Sequence, residues 1–171
     1  MASHDVTVRW RSFELRPAGS PPMPAAYRAK IEAGRPQFNQ MARDKYGLEM
    51  NGGPFGIDSR PALIGAKYAE AQGEGEAYHR AVFAAYWQQA RDIGDLTVLA
   101  EIAEAAGLAR EPFLAALHEP QFEAAVTADV NLARQYQLNG VPAMIFANKY
   151  LVSGAQPYEV LVQVVEQILA E

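Results

Sequence analysis

Few residues of this chain combine the types and spacing that chemistry requires. Cysteine is absent from all 171 residues, which excludes structural disulfides, thiolate metal sites and a cysteine nucleophile. His4, His79 and His118 stand far apart in sequence, so a histidine metal cluster is not expected, and no cofactor is assigned. His79, next to Tyr78, reads as a partly exposed helical residue rather than a base. What remains is a backbone feature. Asn139-Gly140-Val141-Pro142 leads directly into the apolar run Ala143–Ala147. Asn and Gly both tolerate the left-handed conformation that stops a helix. Pro142 falls where a strand should start, the place where its missing N–H does least harm. An X–Pro bond also carries the cheapest cis peptide, at roughly 0.5–1 kcal/mol. The stretch is either an ordinary strand start or a shaped corner at a site.

Two further groups carry polar or aromatic chemistry. Asp58-Ser59-Arg60 precedes Pro61 and most simply caps a helix with proline in its first turn. Tyr86 and Trp87 have the size to line a groove, but aromatics at helical spacing more often pack a core.

These groups need elements to position them. Asp5–Leu15 alternates Val6, Val8, Trp10 and Ser12 against Thr7, Arg9, Arg11 and Phe13, the period of a strand. A Pro/Gly/Ser linker follows through residue 23, and the pattern is helical from Pro24 to Leu138. One stripe joins Phe38, Met41, Ala42 and Tyr46 and stops at Gly47; a helix opened at Asp58–Pro61 closes at Gly73. Tyr78, Val82, Phe83, Tyr86 and Ala90 form the next stripe. Asp95 starts another helix, which ends before Gly107. A short helix around Phe113 ends near Pro120, and the last of the block runs from about Gln121 to Leu138. Ala143–Ala147 and Tyr150–Ser153, separated by Asn148-Lys149, signal a hairpin. A final helix begins at Pro157 with Leu161, Val164, Val165 and Ile168 on one face.

The chain carries a net charge of −5, so a nucleic-acid surface is not expected. Residues 1–46 nevertheless hold eight Lys/Arg against four acids. This is a solvated basic edge, or a docking face for an anionic ligand. The longest apolar runs fall far short of the roughly 20 residues a membrane span needs. The N-terminus has no signal-peptide pattern, and a cytoplasmic location is the expectation.

The segments Val8–Pro17, Tyr86–Leu108 and above all Asn139–Gln167 resemble the DsbA-like thioredoxin-fold family. Its cytoplasmic FrnE-like branch, related to the 2-hydroxychromene-2-carboxylate isomerases, is the most similar. The resemblance implies an α/β fold: a thioredoxin-like core from residues 1–23 and 139–171, interrupted by an all-α insertion over 24–138. It implies a cis Val141–Pro142 bond beside the family's redox site. It also makes Gly140, Val141, Pro142, Asp58, Ser59, Arg60, Ser153 and Gly154 substrate-binding candidates. Ser153-Gly154 matches the place where glutathione-using relatives hold a carboxylate, but Ala155 and Gln156 follow where those relatives carry an acid.

The same resemblance marks what these residues lack. Family members place a strand, a Cys-x-x-Cys pair and a helix ahead of the strand predicted at Val6–Phe13. No catalytic residue can therefore be assigned, because disulfide exchange needs a thiolate. In a thioredoxin core the missing strand lies between Val6–Phe13 and Ala143–Ala147, so both would present unpaired edges. Self-association as a homodimer is expected to cover them. Two functional classes follow. One is the family's disulfide oxidoreduction or isomerisation on peptide or small-molecule thiols, with the catalytic pair lost upstream and these residues inactive by themselves. The other is a non-catalytic protein that captures an extended peptide at the proline corner. A glutathione-dependent isomerase or transferase is a weaker third.

Overall fold

The computed structural model describes residues 4–171. Among them the order is α1 (Ala25–Tyr46), α2 (Arg60–Ala71), α3 (Gly75–Trp87), α4 (Leu96–Ala105), α5 (Arg110–Ala116), α6 (Pro120–Gln135), β1 (Ala143–Phe146), β2 (Tyr150–Ser153) and α7 (Tyr158–Leu169). The chain forms two compact units, one of residues up to Leu15 with Ala128–Glu171, the other Arg16–Thr127. The division falls inside α6.

The Arg16–Thr127 unit is helical, and its core follows from aromatic packing. Tyr78, Leu99 and Phe113 are fully buried. The Phe113 ring lies 5.5 Å from Tyr78 and 6.2 Å from Tyr68, which in turn meets Phe122 edge-on at 5.6 Å. Gly65 of α2 is required here: a Cβ would stand 2.5 Å from the Tyr78 hydroxyl and 2.8 Å from the Phe113 ring. The helix starts follow local chemistry. Asp95, in extended backbone, accepts the Thr97 N–H at 2.7 Å and caps α4. At α2 the cap is displaced: Ser59 holds the N-cap position without a side-chain bond, and Asp58 Oδ1 accepts the Arg60 N–H at 2.9 Å. α1 ends at left-handed Gly47 as its pattern predicts. Its apolar stripe is not a core stripe, however. Phe38, Met41 and Tyr46 are exposed and only Ala42 is buried.

The other unit holds the hairpin, α7 and the N-terminal segment. β1 pairs antiparallel with β2 in the register Ala143↔Ser153 to Phe146↔Tyr150. The turn differs from expectation by one residue. Ala147 and Asn148, at φ 50° and 55°, take the left-handed positions, and Lys149 N–H donates to the Phe146 carbonyl at 2.9 Å. Positive φ at both central residues suits the right-handed twist of the two strands.

Two further expectations are corrected. Asp5–Leu15, predicted as a strand, forms none, because a strand needs a ladder partner and the sheet among the described residues contains only β1 and β2. The helix stop lies before Asn139-Gly140. Gln137 takes the left-handed position at φ 55°, with Gln137 N–H on the Arg134 carbonyl and Leu138 N–H on that of Ala133. That pair of bonds is a Schellman cap, which satisfies the last carbonyls of α6 despite the Cβ of Gln137.

Candidate functional site

The Gly140–Val141–Pro142 corner opens the hairpin, and the Val141–Pro142 bond is cis. The Pro142 carbonyl accepts the Gly154 N–H at 2.9 Å, one step beyond the Ala143↔Ser153 pair. The structure therefore brings Gly140, Val141, Pro142, Ser153 and Gly154 together in one unit. Gly154, at φ 79°, occupies a conformation that favours glycine. The Gln156 side-chain amide donates to the Ser153 carbonyl at 2.9 Å, so the position after Ser153-Gly154 is filled by a neutral donor.

Antiparallel pairing alternates the direction of backbone groups along a strand. With Pro142 and Phe146 bonded toward β2, Met144 shares their direction. The backbone groups of Val141, Ala143 and Ile145 then face the opposite edge of β1. No third strand lies on that edge among the described residues. Val141 is 57% exposed. The result is a short row of donors and acceptors beside half-buried apolar side chains, which is what an added strand recognises.

Asp58, Ser59 and Arg60 belong to the helical unit. Arg60 forks onto Glu123, with Nε to Oε1 at 3.0 Å, and its Nη2 donates to Thr127 at 2.8 Å. This clamp joins the start of α2 to α6 over 63 positions of sequence. Tyr86 and Trp87 pack against each other edge-on at 4.9 Å. Their carbonyls take the Gly53 and Asn51 N–H groups at 2.7 Å each, and the Tyr86 hydroxyl donates to the Pro54 carbonyl. The pair anchors the 51–54 loop. Burial raises the Tyr86 phenol above its ordinary range. Among the described residues no group of three metal-binding side chains converges, and no helix is long and apolar enough to cross a membrane.

One residue escaped the sequence reading. Asp129 of α6 is buried, with Oδ1 accepting from Arg11 Nη1 and Oδ2 from the Ser12 N–H, both at 2.9 Å. The available signal was an acid spaced three residues after Val126 and four before Ala133, both of them buried.

A proline corner feeding an antiparallel hairpin and a terminal helix, with a helical unit inserted in the sequence, is a thioredoxin-type arrangement. The chain belongs to the DSBA-like thioredoxin domain family, whose profile matches residues 1–166. It is similar to the uncharacterized protein YwbO of Bacillus subtilis, at 33% identity over 125 residues, covering 70% of this chain and 60% of that protein. Among solved structures it resembles a probable DsbA oxidoreductase of Streptomyces coelicolor, at 29% identity and a TM-score of 0.75, over 86% of this chain and 65% of the other. A 2-hydroxychromene-2-carboxylate isomerase shares the fold, with a TM-score of 0.76 at 22% identity, over 95% and 81% of the two chains. The chain thus spans less than two thirds of the length of YwbO and of the Streptomyces protein.

Proposed function

We propose that this chain is a substrate-holding protein of the disulfide-oxidoreductase class, which captures an extended peptide as an added strand on the outer edge of β1. The observation that carries this reading is the row of Val141, Ala143 and Ile145 backbone groups directed away from β2. A bound strand would exchange hydrogen bonds with that row, while apolar side chains of the peptide meet the half-buried faces of β1. The chain performs no thiol–disulfide exchange by itself. That reaction passes a thiolate through a mixed disulfide, and none of the 171 residues is a cysteine. Any thiol pair acting on the held peptide comes from outside these residues.

Amide NMR tests this directly, using a short blocked Val/Thr-rich peptide as the probe. Shifts concentrated at Val141, Ala143 and Ile145, abolished by N-methylating alternate peptide amides, are expected. Shifts elsewhere, or indifference to N-methylation, would overturn the edge-pairing reading. In an insulin-reduction assay the chain is expected to match the buffer blank. Turnover above the blank would require a mechanism without a thiol.

A further inference from the structure

The helical unit contains a cleft of about 410 Å³ between the residue 16–28 segment and residues 55–58. Its walls combine two guanidinium groups, Arg16 and Arg28, with the apolar side chains of Met23, Phe55 and Ile57. Asp58 is the one carboxylate on the lining, and its Oδ1 already accepts the Arg60 N–H. A space of this size, its lining divided about evenly between polar and apolar surface, suits a small ligand that is itself amphiphilic.

The cations are only partly compensated. Arg16 donates Nη2 to the Pro21 carbonyl, a neutral partner, and no carboxylate pairs with it among the described residues. Arg28 meets Glu32 through Nε at 2.9 Å, on an exposed surface where such a pair is weak. Arg28 and Arg35 both stand near the Phe55 ring, at 5.2 and 5.5 Å from its centre. These arginines belong to the basic N-terminal part of an otherwise acidic chain.

We propose that this cleft binds a small amphiphilic monocarboxylate, its head on Arg16 and Arg28 and its apolar body against Met23, Phe55 and Ile57. A guanidinium offers a planar pair of N–H donors that matches a carboxylate. Arg16, Arg28 and the nearby Arg35 against Asp58 and Glu32 leave about one positive charge around the cleft, which suits a monoanion better than a dianionic phosphate. This goes beyond the peptide-edge reading and uses none of its residues.

Octanoate is the probe, followed by methyl NMR at Met23 and Ile57 and by calorimetry. Saturable one-site shifts of those methyls are expected, while octanol and inorganic phosphate leave them in place. The double variant R16Q/R28Q should weaken octanoate by about tenfold or more, since it removes both charge-assisted contacts. R80Q, on α3 outside the cleft lining, should leave the affinity unchanged. Single variants R16Q and R28Q carry the same test if the double variant loses helicity. Equal binding of octanol, unchanged affinity in the arginine variants, or no saturable shift below the micelle concentration would overturn the site. Shifts at Val141–Ile145 in place of Met23 and Ile57 would overturn it too, while leaving the peptide edge standing.

Discussion

The Asp129 carboxylate accepts the backbone N–H of Ser12 at 2.9 Å, although 117 positions of sequence separate the two. Ser12 is itself buried, so this N–H is satisfied by a side chain where a β-ladder would otherwise serve it. Asp129→Ala should cost roughly 1.5–3 kcal/mol, because it strands a buried donor and the neighbouring Arg11 contact. Asp129→Asn keeps an acceptor for Ser12 and should cost about half as much. Arg11→Ala, at the exposed end of the pair, should cost under about 1 kcal/mol. Urea melts at neutral pH rank the three. An alanine variant as stable as the parent would show that the N-terminal segment is not held here.

Tyr78 supplies a contrasting case. Its hydroxyl is buried with no hydrogen-bond partner among the described residues, and burial pushes the phenol above its ordinary range. Tyr78→Phe should therefore be neutral or stabilising by up to about 1 kcal/mol, since it deletes a desolvated dipole and keeps the ring. Phe113→Ala, which empties the same core, should cost about 3–5 kcal/mol. Gly65→Ala should cost about 1–3 kcal/mol by overpacking. Adding Tyr78→Phe should relieve only part of that cost, because the contact with Phe113 persists. Thermal melts of the four proteins suffice, and a marked loss in Tyr78→Phe would mean that the hydroxyl is bonded.

His79 stacks on Phe83 at 4.5 Å, and burial holds its imidazole below the ordinary 6.5, with the charge of Glu70 opposing. Between the folded and unfolded values the unfolded chain binds more protons. Stability should therefore fall as pH drops through 6.5 toward the lowered folded value, then level off as far as this group is concerned. His79→Gln should flatten that step. Denaturant midpoints at neutral and mildly acidic pH compare the two, and an unchanged slope in the variant would assign the effect to other groups.

α7 has no buried residue, although Leu161, Val164, Val165 and Ile168 share one face. Val6, Val8, Trp10 and Leu151 of the same unit are exposed as well. We propose that these exposed side chains, the half-buried α7 face and an unpaired strand edge favour self-association as a homodimer. Sedimentation equilibrium should show mass rising with concentration in the micromolar range, and Leu161→Glu with Val165→Glu should return the monomer. A single monomeric species throughout would argue that these faces remain solvated.

Several features are legible in the sequence because neighbours along the chain decide them. The Asp95 cap, the Gly47 stop and the proline-led starts of α2 and α7 rest on contacts spanning a few residues. Propensity and capping chemistry operate at that range. The left-handed stop at Gln137 was missed because Asn139-Gly140 offered the better local chemistry, whereas the cap follows where α6 ends. Tertiary structure alone decided the rest. Alternation at Val6–Phe13 satisfies strand propensity, but a strand exists only when another backbone pairs with it, and no local pattern supplies the partner. Asp129, the Arg60–Glu123 clamp and the Arg16–Arg28–Phe55 cleft likewise join residues that sequence spacing holds apart. Burial and convergence are properties of the folded chain, so each of these needed three dimensions to be seen.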